Sequence, residues 1–356
     1  MSGTLETAAP ADTAARLDVV LRDLEILSPT RFQLGGGPVM DVAAVPGMPA
    51  PAGAAPAGED APLENALTAV LYMLAYTAVY RGGPADAPGA RVTPDAGFTA
   101  RLAAANPTTT RWEPGWRVFG LLAGGAVSVN KGEVSMAAQP GQYAFAPGAG
   151  RLPAVGDVVE LLAPRESLVV QPGMYYAFGD TLGSDYDFAA ISRLYFNVPA
   201  QNAPWLLRTL GALLNRHQVP YRMKCSVDPA HFGRTDGFVL YVARRFVPVI
   251  LRLIAPLAGE IERHLQPGTP LFSKPLLRGM GAADDPGTGE SFGQSRCRLV
   301  AAGAIDAWRA GAAEVDARRE AVASRFRRAG LSLDAPHLSA GTTDLYDLST
   351  PAAETR

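Results

Sequence analysis

Lysine occurs at only three positions, Lys131, Lys224 and Lys274, in a chain with 32 basic residues. Where arginine is used almost everywhere else, each lysine raises a chemical question, because an ammonium can give up its proton and a guanidinium cannot. Lys224 has the most suggestive surroundings. In Tyr221 to Val227 the two-residue period of a strand puts Tyr221, Met223, Cys225 and Val227 on one face and Arg222, Lys224 and Ser226 on the other. In Ile191 to Val198 the same period sets Leu194, Phe196 and Val198 against Arg193, Tyr195 and Asn197. If these strands share a sheet, Arg193, Tyr195, Lys224 and Arg234 come within reach of one another. Cationic neighbours favour proton loss from the lysine, and a neutral amine is a base. Arg193, Arg234, Arg296 and Arg298 are suited to grip a dianionic phosphate in bidentate fashion, and Tyr195 or His231 could offer a proton. That set suits a β-elimination, in which the amine removes the α-proton of phosphoserine or phosphothreonine and phosphate leaves from the β-carbon.

The elements that must position these groups are legible in outline. Ala203 to His217 carries Trp205, Leu206, Leu210, Leu213 and Leu214 at helical spacing, with Pro204 in the first turn. Phe238 to Val242 reads as a third strand, reached through the connection Asp228 to Asp236. Leu271 to Leu277 reads as a strand or extended edge, where Lys274 is either a phosphate clamp facing the same cleft, which we favour, or an edge lysine that discourages strand pairing. Gly279 to Arg298 is glycine-rich and reads as a long functional or mobile loop. It contains no GxxxxGK[ST] or GxGxxG, so what remains is anion-binding nests at Gly287, Gly289 and Gly293 followed by Arg296 and Arg298, or else a solvated turn. Asp284, Asp285 and Glu290 would repel phosphate and are expected to face outward or to hold the arginines. Tyr195 fits a core position as well as it fits an acid, and His231 fits a loop surface better than an acid. His217 and His264 fall near helix C-termini, where a cation is favourable.

A chain of 356 residues with net charge −2 can bury a large core and has no bulk attraction for nucleic acid or anionic membrane. Cys225 and Cys297 are too few for a disulfide framework, and four scattered histidines offer no metal-ligand spacing. No cofactor is implied. No apolar run is long enough to span a membrane and the first residues do not read as a secretory signal, so a cytoplasmic protein is expected. Four regions are expected: an N-terminal helix with a mobile Gly/Pro/Ala linker over 1–62, a helix plus small antiparallel sheet over 63–180, a catalytic domain over 181–330 and a loosely held tail over 331–356. Thr13 to Leu27 and Leu63 to Tyr80 read as helices, and Cys297 to Arg328 as long helical periodicity. Short strands separated by Gly and Pro run from Trp112 to Asp180, with a hairpin at Asn130-Lys131-Gly132 that accounts for Lys131. The fold class is α+β, an antiparallel or mixed sheet with covering helices.

The stretches RLYFNV, YRMKCSVDPAHFGRTDGFVLYV and FSKPLLRGMGAADDPGTGESFGQSRCR, with the earlier TRWEPGWRVF, resemble the HopA-type effector family over roughly Leu63 to Arg325. That family includes type III secretion effectors of plant pathogens. It also includes stand-alone lyases that act with a kinase-like partner in class V lanthipeptide and thioamitide-like peptide biosynthesis. The resemblance implies dehydration of phosphorylated Ser or Thr in a ribosomal precursor peptide, giving dehydroalanine or dehydrobutyrine. A more distant likeness is to the phosphothreonine lyases, whose pattern is KxH on one strand, a base lysine further along, then arginine and tyrosine. Lys224 matches the base and Arg234 and Tyr241 the trailing pair, while Arg193 and Tyr195 stand where that pattern has lysine and histidine.

The implied partners are a phosphorylated precursor peptide with its leader and a kinase-like protein. The short strands after Trp112 could receive the leader by edge addition. The competing reading is a non-catalytic effector or phosphopeptide-binding protein, in which the same arginines bind and nothing is eliminated.

Overall fold

In the computed structural model, residues 13–42, 60–84, 92–145 and 152–348 are described. The expected linker falls mostly outside them. Helix α1 (Thr13–Asp23) leads into a small antiparallel sheet of β1 (Leu24–Ser28), β2 (Arg31–Leu34) and β3 (Met40–Asp41). Helix α2 (Ala61–Leu71) continues without a break into a π-helical turn, Tyr72–Tyr76, and α3 (Ala96–Ala105) begins on the Asp95 side chain, which accepts from the Phe98 N–H. A five-stranded antiparallel sheet follows, built from β4 (Arg111–Leu121), β5 (Val127–Lys131), β6 (Val134–Ala138), β7 (Tyr143–Phe145) and β8 (Val158–Ala163) in the order β6-β5-β4-β8-β7. It buries its own core around Trp116, Val129 and Leu161. Lys131 ends β5 at the expected hairpin and pairs with Glu113.

The remaining strands form the central sheet: β9 (Glu166–Ser167), β10 (Met174–Phe178), β11 (Ile191–Phe196), β12 (Tyr221–Ser226), β13 (Phe238–Ala243), β14 (Lys274–Leu277) and β15 (Met280–Asp284). Their order is β14-β15-β11-β13-β12-β10-β9, and every pairing is antiparallel. The fold is therefore α+β. The strands β11 and β12 share the sheet, but β13 lies between them. The sheet also starts before residue 181, because β9 and β10 extend it beyond β12.

One face of the sheet, carrying Leu194, Phe196, Met223, Cys225, Leu240 and Met280, is fully covered by α3, α4 (Ala203–Arg216), α5 (Val247–Ile254) and α6 (Ala258–Arg263). The strong amphipathicity of α4 and α5 is what lets them close it. The opposite face is covered over only part of its width. There α2, its π turn, α7 (Phe292–Arg309) and α8 (Val315–Arg328) pack over Tyr195, Val239 and Ala283, and the rest of the face is left half-buried.

Two expectations about the C-terminal third change. The glycine-rich stretch is mostly regular structure: β15 is buried at every position, and α7 starts at a capping box between Ser291 and Gln294. Only residues 285–291 remain a loop. The segment from His337 to Leu348 is not a loose tail. Tyr346 is buried in the central core, its hydroxyl bonded to Asp284 (2.5 Å) and Ser192 (2.8 Å).

Candidate functional site, a basic and aromatic strip on the central sheet

Because paired residues on adjacent strands point to the same side, the register reads out the site directly. One row across the sheet runs Phe178, Arg222, Tyr241, Arg193, Ala283, and the next runs Tyr176, Lys224, Val239, Tyr195, Gly281. The covering helices close the Tyr195 and Ala283 end, so the open part holds Tyr176, Phe178, Arg222, Lys224, Tyr241 and Arg193. Tyr241 is the centrepiece: the Arg193 guanidinium lies 5.3 Å from its ring centroid and Lys224 Nζ 6.0 Å.

The charges in this strip differ in how they are held. Arg193 is nearly buried and donates through Nε to Asp285 at 2.7 Å. Burial opposes its charge, but Tyr195, Tyr241 and Asp285 outweigh burial and raise its pKa. Arg222 and Lys224 have no carboxylate partner among the described residues. Arg222 lies 4.3 Å over the Phe188 ring, its buried Nε lacks a hydrogen bond, and burial lowers its pKa. Lys224 donates to Gln171 Oε1 at 3.3 Å, and the same oxygen accepts from the Tyr176 hydroxyl at 3.2 Å. Burial raises the Tyr176 phenol despite Lys224 beside it. Half-buried cations without counter-charges are costly, and an incoming anion would relieve that cost.

The expected site residues fall into two groups. Lys224, Arg193 and Tyr241 meet on this face. Tyr195 shares it, but beneath cover: its hydroxyl is buried against Tyr76 without a hydrogen bond of standard geometry, and Phe292 packs on its ring. Burial raises its pKa more than Arg193 lowers it, so the phenol is not the arginine-lowered one expected, and the Tyr76 and Phe292 rings cover it. Arg234 is engaged at the covered end, donating to both Asp236 oxygens and to the Tyr72 hydroxyl of the π turn. His231 sits in the turn after β12, its backbone N–H donating to the Asp228 carbonyl at 3.1 Å.

Lys274, Arg296 and Arg298 are not at the strip. Lys274 pairs in register with Ala282, which places it on the other face of the sheet, and it is bonded to Asp344 at 2.6 Å. Arg296 is buried, donating to the carbonyls of Pro336 and Leu338, and burial brings its pKa down to about 10. Arg298 is held by Glu290 and Asn65. Of the three acids expected to hold arginines, Asp284 holds Arg244, Asp285 holds Arg193 and Glu290 holds Arg298. Gly293 is inside α7 against the Tyr76 ring and makes no nest.

The HopA1 effector protein family matches residues 165–338. This segment is a distant homologue of the HopA-type effectors. It contains the whole central sheet, from β9 to the carbonyl that Arg296 holds, and so every residue of the strip. Two solved effector structures are also similar. That from Pseudomonas syringae pv. tomato strain DC3000 is 19% identical, covering 49% of this chain and 67% of that one with a TM-score of 0.34. That from Pseudomonas syringae pv. syringae strain 61 is 15% identical, covering 76% and 88% with a TM-score of 0.38. No curated protein sequence matches.

In this segment the strand period puts Arg222 on the right face without assigning it a role, and Tyr176 and Phe178 are site residues that the sequence reading does not name. The alternation in Met174 to Phe178, with Tyr175 and Ala177 buried, was the available signal. Gln171 and Phe188 come from loops, and nothing in their spacing points to Lys224 or Arg222. No helix among the described residues is long and apolar enough to cross a membrane.

Proposed function

We propose that the strip receives the phosphate of a phosphorylated serine or threonine in a peptide and eliminates it. The observation that carries this reading is the pairing of two cations without counter-charges, Arg222 and Lys224, on a half-open face lined by tyrosines. Arg222 supplies a planar donor for two phosphate oxygens, and Tyr241 and Tyr176 flank the anion with hydroxyls. Lys224, released from Gln171, takes the α-proton on its amine nitrogen. The C–H electron pair becomes the Cα=Cβ double bond, the Cβ–O bond breaks, and its electrons leave with phosphate. The products are a dehydroamino acid in the peptide, inorganic phosphate and a protonated lysine. Phosphate is an adequate leaving group when Arg222 offsets its charge, so the step does not need Tyr195 as an acid.

A kinase must first supply the phosphoryl group, which fits a kinase-like partner and a ribosomal precursor peptide. The five-stranded sheet is then available for the leader. The family match by itself favours the other reading, a non-catalytic effector or phosphopeptide-binding protein in which the anion is held and nothing is eliminated. Incubation with a phosphoserine or phosphothreonine peptide separates the two. Loss of one phosphoric acid per site, with stoichiometric inorganic phosphate and dependence on Lys224, supports the lyase. Arg222-dependent binding with the peptide recovered intact supports the binder.

A further inference from the structure

Two loops meet the unpaired cations, and both present apolar side chains to solvent. The first runs from the end of β9 through Leu168, Val169 and Val170, which are 50%, 87% and 58% exposed, to Gln171, the partner of Lys224 Nζ. The second carries Tyr186, 82% exposed, and Phe188, whose ring lies 4.3 Å from the Arg222 guanidinium. Of the three acids in that loop, Asp187 is bound to Arg245, Asp185 accepts from the Ala137 N–H, and Asp180 lies 3.8 Å from Arg111. Each cation is thus tied by a direct contact to a different apolar loop, and the anion site lies between them.

We infer that the strip takes its phosphorylated residue from a peptide segment with apolar side chains on both sides of it, one seated against Leu168 to Val170 and the other against Tyr186 and Phe188. This rests on the phosphopeptide reading above and names the sequence context it selects. The occupant follows from complementarity: two positive charges between apolar lips match one anionic residue between apolar neighbours. An acidic or strongly polar context leaves the lips in water and gains nothing there. With a chain charge of −2 there is no bulk pull toward an anionic bilayer, which favours the peptide over a lipid surface.

The test measures binding of the full chain to two phosphothreonine peptides of equal net charge, one flanked by Leu and Val, the other by Ser and Gly. The apolar-flanked peptide should bind about tenfold tighter, the effect of burying roughly one aliphatic side chain. Double substitution Val169→Ser, Val170→Ser should remove most of that preference and leave the affinity for the Ser/Gly-flanked peptide unchanged. Both valines are exposed, so the fold does not depend on them. Equal binding of the two peptides by the wild-type chain, or a preference that survives the double substitution, overturns the inference. If the Ser/Gly-flanked peptide still binds in an Arg222-dependent way, the phosphopeptide reading stands and only this refinement fails. If neither peptide binds and vesicles of anionic phospholipid do, in a Val169-dependent way, both fail and the loops serve a membrane.

Discussion

Arg222 and Arg193 stand in one cross-strand row with Tyr241 between them, yet among the described residues only Arg193 has a carboxylate partner. The two arginines should therefore respond differently to removal. Arg222→Ala should weaken phosphopeptide binding by roughly tenfold to a hundredfold, as expected for a charge-assisted hydrogen bond, with little loss of stability. Arg193→Ala strands Asp285 in a nearly buried site and should destabilise the fold by about 3 kcal/mol. Isothermal titration paired with urea denaturation of both variants reads the contrast. An Arg222→Ala protein that binds like the wild type removes this residue from the site.

Lys224→Met keeps the length and apolar stem of the side chain and deletes the amine. Elimination should fall by at least about a hundredfold, the usual scale for a lost general base, while affinity for a phosphopeptide falls less than on loss of Arg222. Phosphate release under single-turnover conditions is the measurement. Turnover close to the wild type would mean that another group takes the proton.

Tyr195→Phe should leave elimination intact. Its hydroxyl is buried under Tyr76 without a well-formed hydrogen bond, so deletion should be neutral or stabilise the fold by up to about 1 kcal/mol. A large drop in turnover with no change in stability would return this tyrosine to the role of acid.

Tyr346 ties the C-terminal strap to the sheet through Asp284 and Ser192. Tyr346→Phe leaves two buried groups short of a partner and should cost about 1–3 kcal/mol, read as a lower denaturation midpoint. The same strap predicts acid sensitivity. Burial holds His337 below the usual imidazole range against the pull of Asp344. Burial would raise Asp344, but Lys274, the Tyr346 N–H and His337 together bring it below the usual carboxylate range.

Both groups have folded pKa values below their unfolded ones, so both contributions to stability are lost as pH falls. The histidine contribution is complete above about pH 6.5 and the aspartate contribution above about pH 4. Each disappears as pH drops through the folded value. Melting temperature should fall in two steps, and His337→Asn should flatten the first. A midpoint indifferent to pH between 7 and 5 in the wild-type chain would contradict this account.

Alternation of side chains in Ile191–Phe196 and Tyr221–Ser226 was enough to place Arg193, Arg222 and Lys224 on polar faces, because period two is a property of the extended backbone alone. The class of fold, the helix over 203–216 and the small sheet between Trp112 and Leu162 were legible for the same local reason. Local pattern could not say that β13 sits between those two strands, nor that β10 joins them, because strand order depends on which distant segments pair. It also could not separate equal residue types by their partners. Lys274 and Lys224, or Arg296 and Arg222, look alike along the chain, but Asp344 and two backbone carbonyls hold the first of each pair, whereas the second has only Gln171 or the Phe188 ring and no carboxylate among the described residues. Which charges are spent on the fold is a matter of three-dimensional company, and that company comes from residues 40 to 70 positions away in sequence.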